Sequence, residues 1–175
     1  MRYVALLRAI NVGGHVVKME RLRTIFASLG FRDVETVIAS GNVVFAAGGK
    51  PPALEVKIER ALRDELGYDV ATFLRCRDEL EDVVSYDPLP HMAPAQPDHV
   101  LSVVFLKEPP TADAGAALLS LRNDVDDFVV RGRDVYWLRR TKAAPSLVAG
   151  PRFERALQRA GTGRNITTVR KLAQR

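Results

Sequence analysis

The sequence predicts an α/β (α+β) protein made of two tandem β-α-β-β-α-β repeats that form one compact protein. Three observations support this prediction. Short apolar runs alternate with segments whose apolar residues recur every three to four positions, as in strands followed by amphipathic helices. A glycine separates the two middle strands of each half, at positions 41 and 132. A segment with four prolines, 86–98, divides the halves. This element order is the ferredoxin-like arrangement.

The first repeat, residues 1–85, opens with a buried strand. Its helices show one apolar face each and end at Gly30 and Gly67, because glycine adopts the left-handed conformation that closes a helix. The Gly41-Asn42 pair indicates a hairpin. The predicted strands are 2–8, 34–40, 43–47 and 69–75, the predicted helices are 19–29 and 51–66, and Asp78 is expected to cap a short helix over 79–85.

The second repeat, residues 99–175, follows the proline-rich linker 86–98 and has the same order with an extra C-terminal helix. Thr111 is expected to cap its first helix, which runs to about residue 121, and Pro151 opens the next, which Gly161 ends. The predicted strands are 99–106, 127–131, 134–139 and a very short one at 162–165, and the last helix, 166–174, is capped by Asn165 and turns Ile166, Val169, Leu172 and Ala173 inward.

Composition and charge narrow the function classes. The chain has 175 residues, 47% hydrophobic and 27% charged, and no apolar run long enough to span a bilayer, so we expect a cytoplasmic protein without a membrane partner. A single cysteine, Cys76, excludes an internal disulfide, and the three histidines lack metal-ligand spacing, so no metal site is expected. Residues 122–175 carry 13 Lys and Arg against 5 Asp and Glu, a net +8 that favours an anionic partner.

Two polar, glycine-containing motifs are expected to meet at one sheet edge. In a β-α-β-β-α-β sheet the end of the first strand lies beside the hairpin between the second and third strands. This places Arg8-x-Ile-Asn11-Val-Gly13-Gly14 near Ser40-Gly41-Asn42. Backbone amides near glycines bind anions, and Arg8 adds a planar charged contact. The motifs also fit a plain turn and hairpin, and both interpretations stay open.

Other motifs give no established site. Gly14 lacks the downstream Gly-Lys-Ser/Thr of a phosphate-binding loop, and the Gly161-Thr-Gly-Arg-Asn-Ile segment has only part of a dinucleotide fingerprint. Arg131-Gly132 matches the start of an RNA-binding strand, but Arg133 and Val135 occupy its stacking positions. No nucleophile with a neighbouring base and no paired carboxylates stand out.

Three ordered motifs resemble one family. Arg-Ala-Ile-Asn-Val-Gly-Gly near the start, Ser-Gly-Asn-Val-Val-Phe at 40–45 and Thr-Gly-Arg-Asn-Ile-Thr-Thr-Val-Arg-Lys-Leu at 162–172 are similar to signatures of the bacterial domain-of-unknown-function family 1697. The resemblance implies an α/β protein with ferredoxin-like repeats, and no established activity or cofactor. Two positions depart from the family pattern: Ile166 replaces a usual Trp, and Thr141-Lys142 replaces a usual Ser-Lys pair.

The leading hypothesis is that the protein is a binding module for a small phosphorylated or nucleotide-like anion. The sequence points to no particular cofactor. The alternatives are an enzyme that acts on a phosphorylated small molecule in the same cleft, a non-specific nucleic-acid-binding protein that uses the basic C-terminal third, and a structural or partner-binding role. The candidate ligand-binding residues, including those that the family motifs add, are Arg8, Asn11, Gly13, Gly14, Ser40, Gly41, Asn42, Arg164, Asn165, Thr168 and Lys171.

Overall fold

A computed structural model describes residues 1–11, 13–38, 41–92, 97–148 and 150–175. The chain divides into two compact units: a first unit, 1–81 with 171–175, and a second unit, 82–170. Each unit contains a four-stranded antiparallel sheet. The boundaries proposed from sequence, with a linker over 86–98, stay a prediction. Within that segment, Leu89–His91 forms one turn of 3-10 helix.

The first unit has the predicted β-α-β-β-α-β order. Its strands are β1 (Arg2–Leu7), β2 (Arg32–Thr36), β3 (Asn42–Ala46) and β4 (Thr72–Cys76), and its helices are α1 (Met19–Ser28), α2 (Pro51–Leu66) and α3 (Arg77–Ser85), the last four residues of which belong to the second unit. The sheet order β2-β3-β1-β4 is that of a ferredoxin-like fold. Alternate strand residues, among them Ala5, Phe45 and Leu74, pack with Phe26 of α1 and Ile58 of α2 in one apolar core.

Two local predictions for the first unit were wrong. β2 ends at Thr36 rather than residue 40, and Asn42 begins β3, because the Val37 N–H donates to the Asn42 carbonyl at 2.9 Å and closes the hairpin early. Asp78 is not a cap, because α3 starts at Arg77 directly after β4. Instead, the Cys76 N–H donates to Glu79 Oε2 at 2.8 Å, so the strand passes into the helix without a loop.

The second unit repeats this architecture. Its strands are β5 (Val100–Leu106), β6 (Asp126–Arg131), β7 (Asp134–Arg139) and β8 (Gly161–Asn165), and its helices are α4 (Ala112–Leu119), α5 (Pro151–Leu157) and α6 (Ile166–Ala173), whose last three residues belong to the first unit. The sheet order is β6-β7-β5-β8. Thr111 caps α4 as predicted, accepting from the Ala114 N–H at 3.2 Å. α5 stops three residues earlier than predicted, since Gln158 takes the left-handed conformation, with φ 53°.

The hydrogen-bond registers make the two sheets equivalent residue by residue. Leu7 pairs with Thr72, and its N–H donates to the carbonyl of Gly41. At the equivalent position, Leu106 pairs with Gly161, and its N–H donates to the carbonyl of Arg133. In both repeats the fourth strand also runs directly into a helix, from β4 into α3 and from β8 into α6.

Two buried arginines mark the same position of this repeat. Arg75 Nη1 donates to the preceding carbonyl, Leu74 O, at 2.9 Å, and Arg164 Nη1 donates to Gly163 O at 2.8 Å. The extra C-terminal helix predicted for the second repeat thus has a counterpart, α3, in the first. The duplication predicted from element order extends to side-chain detail.

Candidate functional site

The two motifs of the first unit lie at the same sheet edge. The Leu7 N–H donates to Gly41 O at 2.8 Å. A Cβ on Gly41 would lie 2.7 Å from Ile10 Cγ2 and 3.2 Å from Leu7 Cβ, and the φ of Gly41 is 74°. Only glycine fits this close approach, so Gly41 holds the hairpin against the end of β1.

The two asparagines of these motifs bind backbone groups of the chain. Asn11 Oδ1 accepts from the Val17 N–H at 2.7 Å and so closes the loop after β1. Asn42 has no exposed surface, and its Nδ2 donates to Val37 O at 3.0 Å. These bonds are the loop and hairpin roles that the turn interpretation assigns to the two residues. Ser40 lies outside the described residues.

The loop after β1, which carries Gly13 and Gly14, has an open side. Gly13 and Gly14 have φ of 70° and 87°, and no described atom lies within 4 Å of where their Cβ atoms would stand. Arg8 is half-buried, and its backbone N–H donates to Ala71 O at 2.9 Å. The His15 ring stacks on Tyr68 at 4.0 Å. Both glycines are exposed, so their backbone is accessible from this side.

The C-terminal candidates divide between buried and exposed positions. Arg164 is buried, its Nη1 donates to Thr162 Oγ1 at 2.8 Å, and burial lowers the pKa of its guanidinium to about 10. Asn165 is exposed and caps α6 as predicted, its Oδ1 accepting from the Thr167 N–H at 2.9 Å. Thr168 is half-buried and Lys171 is exposed. Of these four, Asn165 lines the largest cavity described below.

A cavity of 560 Å³ in the second unit gathers basic side chains. It lies among the end of α3, the residues after it, the start of β5, the loop after β7 and the first turn of α6. Its titratable lining comprises His99, Lys142 and Arg170 on the basic side and Asp87 as the one carboxylate among the described lining residues. Asn165, Thr167 and Tyr86 also line it. We call it the cationic cavity.

Local hydrogen bonds fix the loop that carries Lys142. Asp98 Oδ2 accepts from the Lys142 N–H at 2.8 Å and from Thr141 Oγ1 at 2.9 Å. The bond from the Lys142 backbone, followed by that from Thr141, lowers the pKa of Asp98, which therefore stays ionised well into the acidic range. The bonds to Asp98 hold the loop in which Lys142 lines the cavity.

The opposite wall is held by an ion pair and by packed aromatic rings. Arg131 Nη1 contacts Asp82 Oδ2 at 2.7 Å, and the guanidinium lies 4.8 Å from the centroid of the Tyr86 ring. The hydrogen bond from Arg131 lowers the pKa of Asp82. Tyr86 also packs against Tyr136, with centroids 5.1 Å apart. Arg131 thereby connects the end of α3 with β6 and orders the aromatic wall.

Most of the cationic cavity was missed from sequence. Tyr86 fell in the predicted linker, His99 at a strand start and Lys142 in a loop, and Arg170 was one of several arginines. No spacing rule connects these four positions, because they come from segments far apart in the chain. The net +8 of residues 122–175 was a signal for Lys142 and Arg170 alone, since Tyr86 and His99 lie outside that segment.

Three further observations concern the described part of the chain. It contains no group of three or more His, Cys, Asp or Glu side chains arranged to hold a metal ion. None of the helices in those ranges is both long and apolar enough to cross a membrane. Cys76 is half-buried, and burial raises the pKa of its thiol, which disfavours the nucleophilic thiolate.

Comparisons with known proteins support the fold. Residues 1–136 match the model of a family described as Protein of unknown function (DUF1697). Among solved structures, the chain is similar to that of the conserved bacterial protein SP0830 from Streptococcus pneumoniae, with a TM-score of 0.76 and 24% identity over 99% of this chain and 97% of that one. Comparison with curated proteins finds no match.

Proposed function

The chain belongs to the DUF1697 family of proteins of unknown function, and we propose that it binds a small phosphorylated or nucleotide-like anion in the cationic cavity. One observation carries the proposal: three basic side chains and one carboxylate line a 560 Å³ cavity within a single unit. Cavities of about 300–1,000 Å³ are the usual size for small-molecule sites.

The lining chemistry suits a phosphate group. Lys142 and Arg170 supply two positive charges, and charge-assisted hydrogen bonds to phosphate are roughly twice as strong as neutral ones. Arginine adds a planar fork that matches phosphate oxygens. Thr167 and Asn165 offer neutral polar groups at the same wall. The Tyr86 ring gives an apolar surface for the rest of the ligand.

The edge of the first unit remains a separate proposal for the same ligand class. It rests on Arg8 and the open backbone at Gly13 and Gly14. The cationic cavity is favoured because three basic side chains line one volume, whereas Asn11 and Asn42 at the other site bind backbone groups of Val17 and Val37.

The test is binding at low ionic strength. We expect inorganic phosphate, glucose 6-phosphate or AMP to raise the thermal unfolding midpoint of the wild type and to bind in calorimetry. The double variant Lys142→Gln/Arg170→Gln should weaken binding by about 100-fold or more, since each lost charge-assisted bond is worth roughly 1.5–3 kcal/mol. Arg155→Gln, an exposed arginine outside the cavity, is the matched single-charge control and should bind as the wild type does.

The variants also separate the two sites. Loss of binding in Arg8→Gln with full binding in the double variant would assign the ligand to the first unit and overturn the cavity. Absence of binding for all three anions in the wild type would overturn the function. Non-specific attraction would be indicated instead if the affinity for every polyanion fell with salt concentration to the same extent, in the wild type and in Arg155→Gln alike.

A further inference from the structure

The helix-side face of the second sheet is not filled as its counterpart in the first sheet is. The registers set Ser102 where the first sheet has Tyr3, and Gly163 where it has Leu74. Tyr3 and Leu74 are buried core residues. Ser102 and Gly163 thus stand in place of two large side chains and leave open space on this face of the second sheet.

The covering helix is also shorter in the second unit. α2, which packs on the first sheet, has 16 residues, whereas its counterpart α5 has 7. At a rise of about 1.5 Å per residue, α5 is roughly 13 Å shorter. The shorter helix covers less of the second sheet than α2 covers of the first.

The result is a trough along this face. Two cavities of 350 and 230 Å³ share Ser102 and Trp137 in their lining. The first is also lined by Gly163, Phe153 and Asn165, and the second by Arg139 and Ser146. We call the two together the Trp137 trough. It shares Val100 and Asn165 with the cationic cavity, which is lined by neither Trp137 nor Arg139.

Trp137 is held in one orientation. Its ring stacks on Phe153 with centroids 5.3 Å apart and an interplanar angle of 15°. Its Nε1 donates to Oδ1 of the fully buried Asp126 at 2.9 Å, and the Leu147 N–H donates to the other oxygen of that carboxylate, also at 2.9 Å. The indole is a rigid wall, and a ligand ring that packs against it loses little entropy to protein ordering.

Arg139 stands at one end of the trough without a counter-ion. Within the described residues, its guanidinium makes no hydrogen bond or ion pair, and its Nε is buried without an acceptor. Leaving a buried charged donor unsatisfied destabilises a protein, so this arrangement persists at a cost unless something else fills it. The Nε of the neighbouring Arg140 is likewise buried without an acceptor, but its Nη2 contacts Asp127 Oδ2 at 3.3 Å.

We propose that the Trp137 trough is a second binding site, which takes a small planar aromatic acid. The oxyanion of the ligand accepts from the Arg139 guanidinium, and its ring lies along the indole above Gly163. Ser102 and Asn165 supply neutral hydrogen-bonding groups beside the ring. The site stands independently of the phosphorylated ligand of the cationic cavity.

The chain contains its own reporter for this site, because Trp137 is its only tryptophan. We expect benzoate to change the intrinsic fluorescence saturably and the uncharged benzamide to leave it unchanged. AMP serves as the phosphate-bearing probe, so that a carboxylate and a phosphate source of the oxyanion are distinguished. Titration to about 10 mM detects even millimolar affinity.

Matched variants locate the response. Arg139→Gln should weaken binding of whichever probe changes the fluorescence by about tenfold or more. Arg155→Gln, which changes an exposed arginine outside both cavities, should leave that binding within about twofold. Gly163→Leu restores the side chain that the first sheet carries and should abolish the response. Arg139→Met should raise the thermal midpoint of the free protein by about 2–4 °C while abolishing binding, because it removes a buried unsatisfied donor.

Two results overturn the site: no saturable change with benzoate or AMP in the wild type, or equal responses in wild type and Arg139→Gln. A response that Lys142→Gln removes as fully as Arg139→Gln does would assign the probe to the cationic cavity and also overturn it. Phosphate binding in the calorimeter with a silent Trp137 leaves the proposed function standing and removes the trough alone.

Discussion

The first sheet carries Tyr3, Phe45 and Leu74 on its helix side, and the register-equivalent positions of the second sheet hold Ser102, Trp137 and Gly163. The first sheet fills this face with apolar side chains, whereas the second sheet leaves a trough with an aromatic wall. Functional sites commonly reduce stability in this way, because side chains placed to contact a ligand do not pack or hydrogen-bond with one another in the free protein. Under the proposed binding roles, the apolar face of the first sheet contributes to stability, and the trough of the second sheet is the part that takes a ligand.

The largest expected effect comes from emptying the first sheet. Leu74 is fully buried, so Leu74→Ala should lower the free energy of unfolding by about 2–5 kcal/mol. Chemical denaturation followed by far-UV circular dichroism measures this. The reverse change, Gly163→Leu, should cost far less, since it enters an existing cavity. Equal losses in the two variants would mean that the trough is not open space.

The second prediction distinguishes two glycines of one strand. A Cβ on Gly161 would lie 2.6 Å from Val104 Cγ1 and 3.2 Å from Phe105 O, whereas a Cβ on Gly163 would have Val104 Cγ2 as its nearest neighbour, at 3.8 Å. Gly161→Ala should therefore destabilise by about 1–3 kcal/mol through overpacking. Gly163→Ala should be neutral or stabilise by up to about 1 kcal/mol, since glycine weakens a strand. Thermal unfolding of both variants decides, and the opposite ranking would contradict the register.

Element order could be predicted from sequence because it depends on local signals. Apolar periodicity located the helices, and Gly41, Gly132 and Thr111 marked two hairpins and a cap that the structure contains. The sheet order followed from topology rules rather than from any residue. Asn165 was correctly predicted to cap the last helix, since capping needs only neighbours two residues away.

The trough could not be predicted, because it arises from what is missing at paired positions. Gly161 and Gly163 suggest a loop when taken alone, and only the pairing of Gly163 with Val104 shows that an equivalent of Leu74 is absent. An arginine without a counter-ion is likewise invisible in sequence, since its partners come from distant segments. Arg164 shows the converse: it was predicted to bind a ligand, and its guanidinium bonds to Thr162 and Gly163.

The third prediction concerns the hairpins, where Asn42 of the first sheet corresponds to Asp134 of the second. Asn42 is fully buried and donates to Val37 O, so Asn42→Ala leaves that carbonyl without its side-chain partner. We expect a loss of about 1–2 kcal/mol with unchanged phosphate affinity. Equilibrium unfolding and calorimetry on the same variant measure both. Lost phosphate binding in a variant of unchanged stability would favour the ligand-binding interpretation of the Ser-Gly-Asn motif.

The smallest expected effect is a pH dependence on the other face of the second sheet, at Tyr136, where the first sheet has Val44. Tyr136 is fully buried, its Oη donates to Val83 O at 2.9 Å, and burial raises its pKa to about 12 from 10.0. Between these values the folded state keeps a proton that the unfolded chain releases, so the free energy of unfolding falls as pH rises. Burial lowers the pKa of Arg164 to about 10, which has the opposite effect as pH rises, because there the unfolded chain binds more protons.

The wild type is therefore compared with Tyr136→Phe, which keeps Arg164 and lacks the phenol. Denaturation at several pH values from 9 upward should show stability falling more steeply in the wild type than in the variant, and parallel curves would mean that the phenol titrates normally.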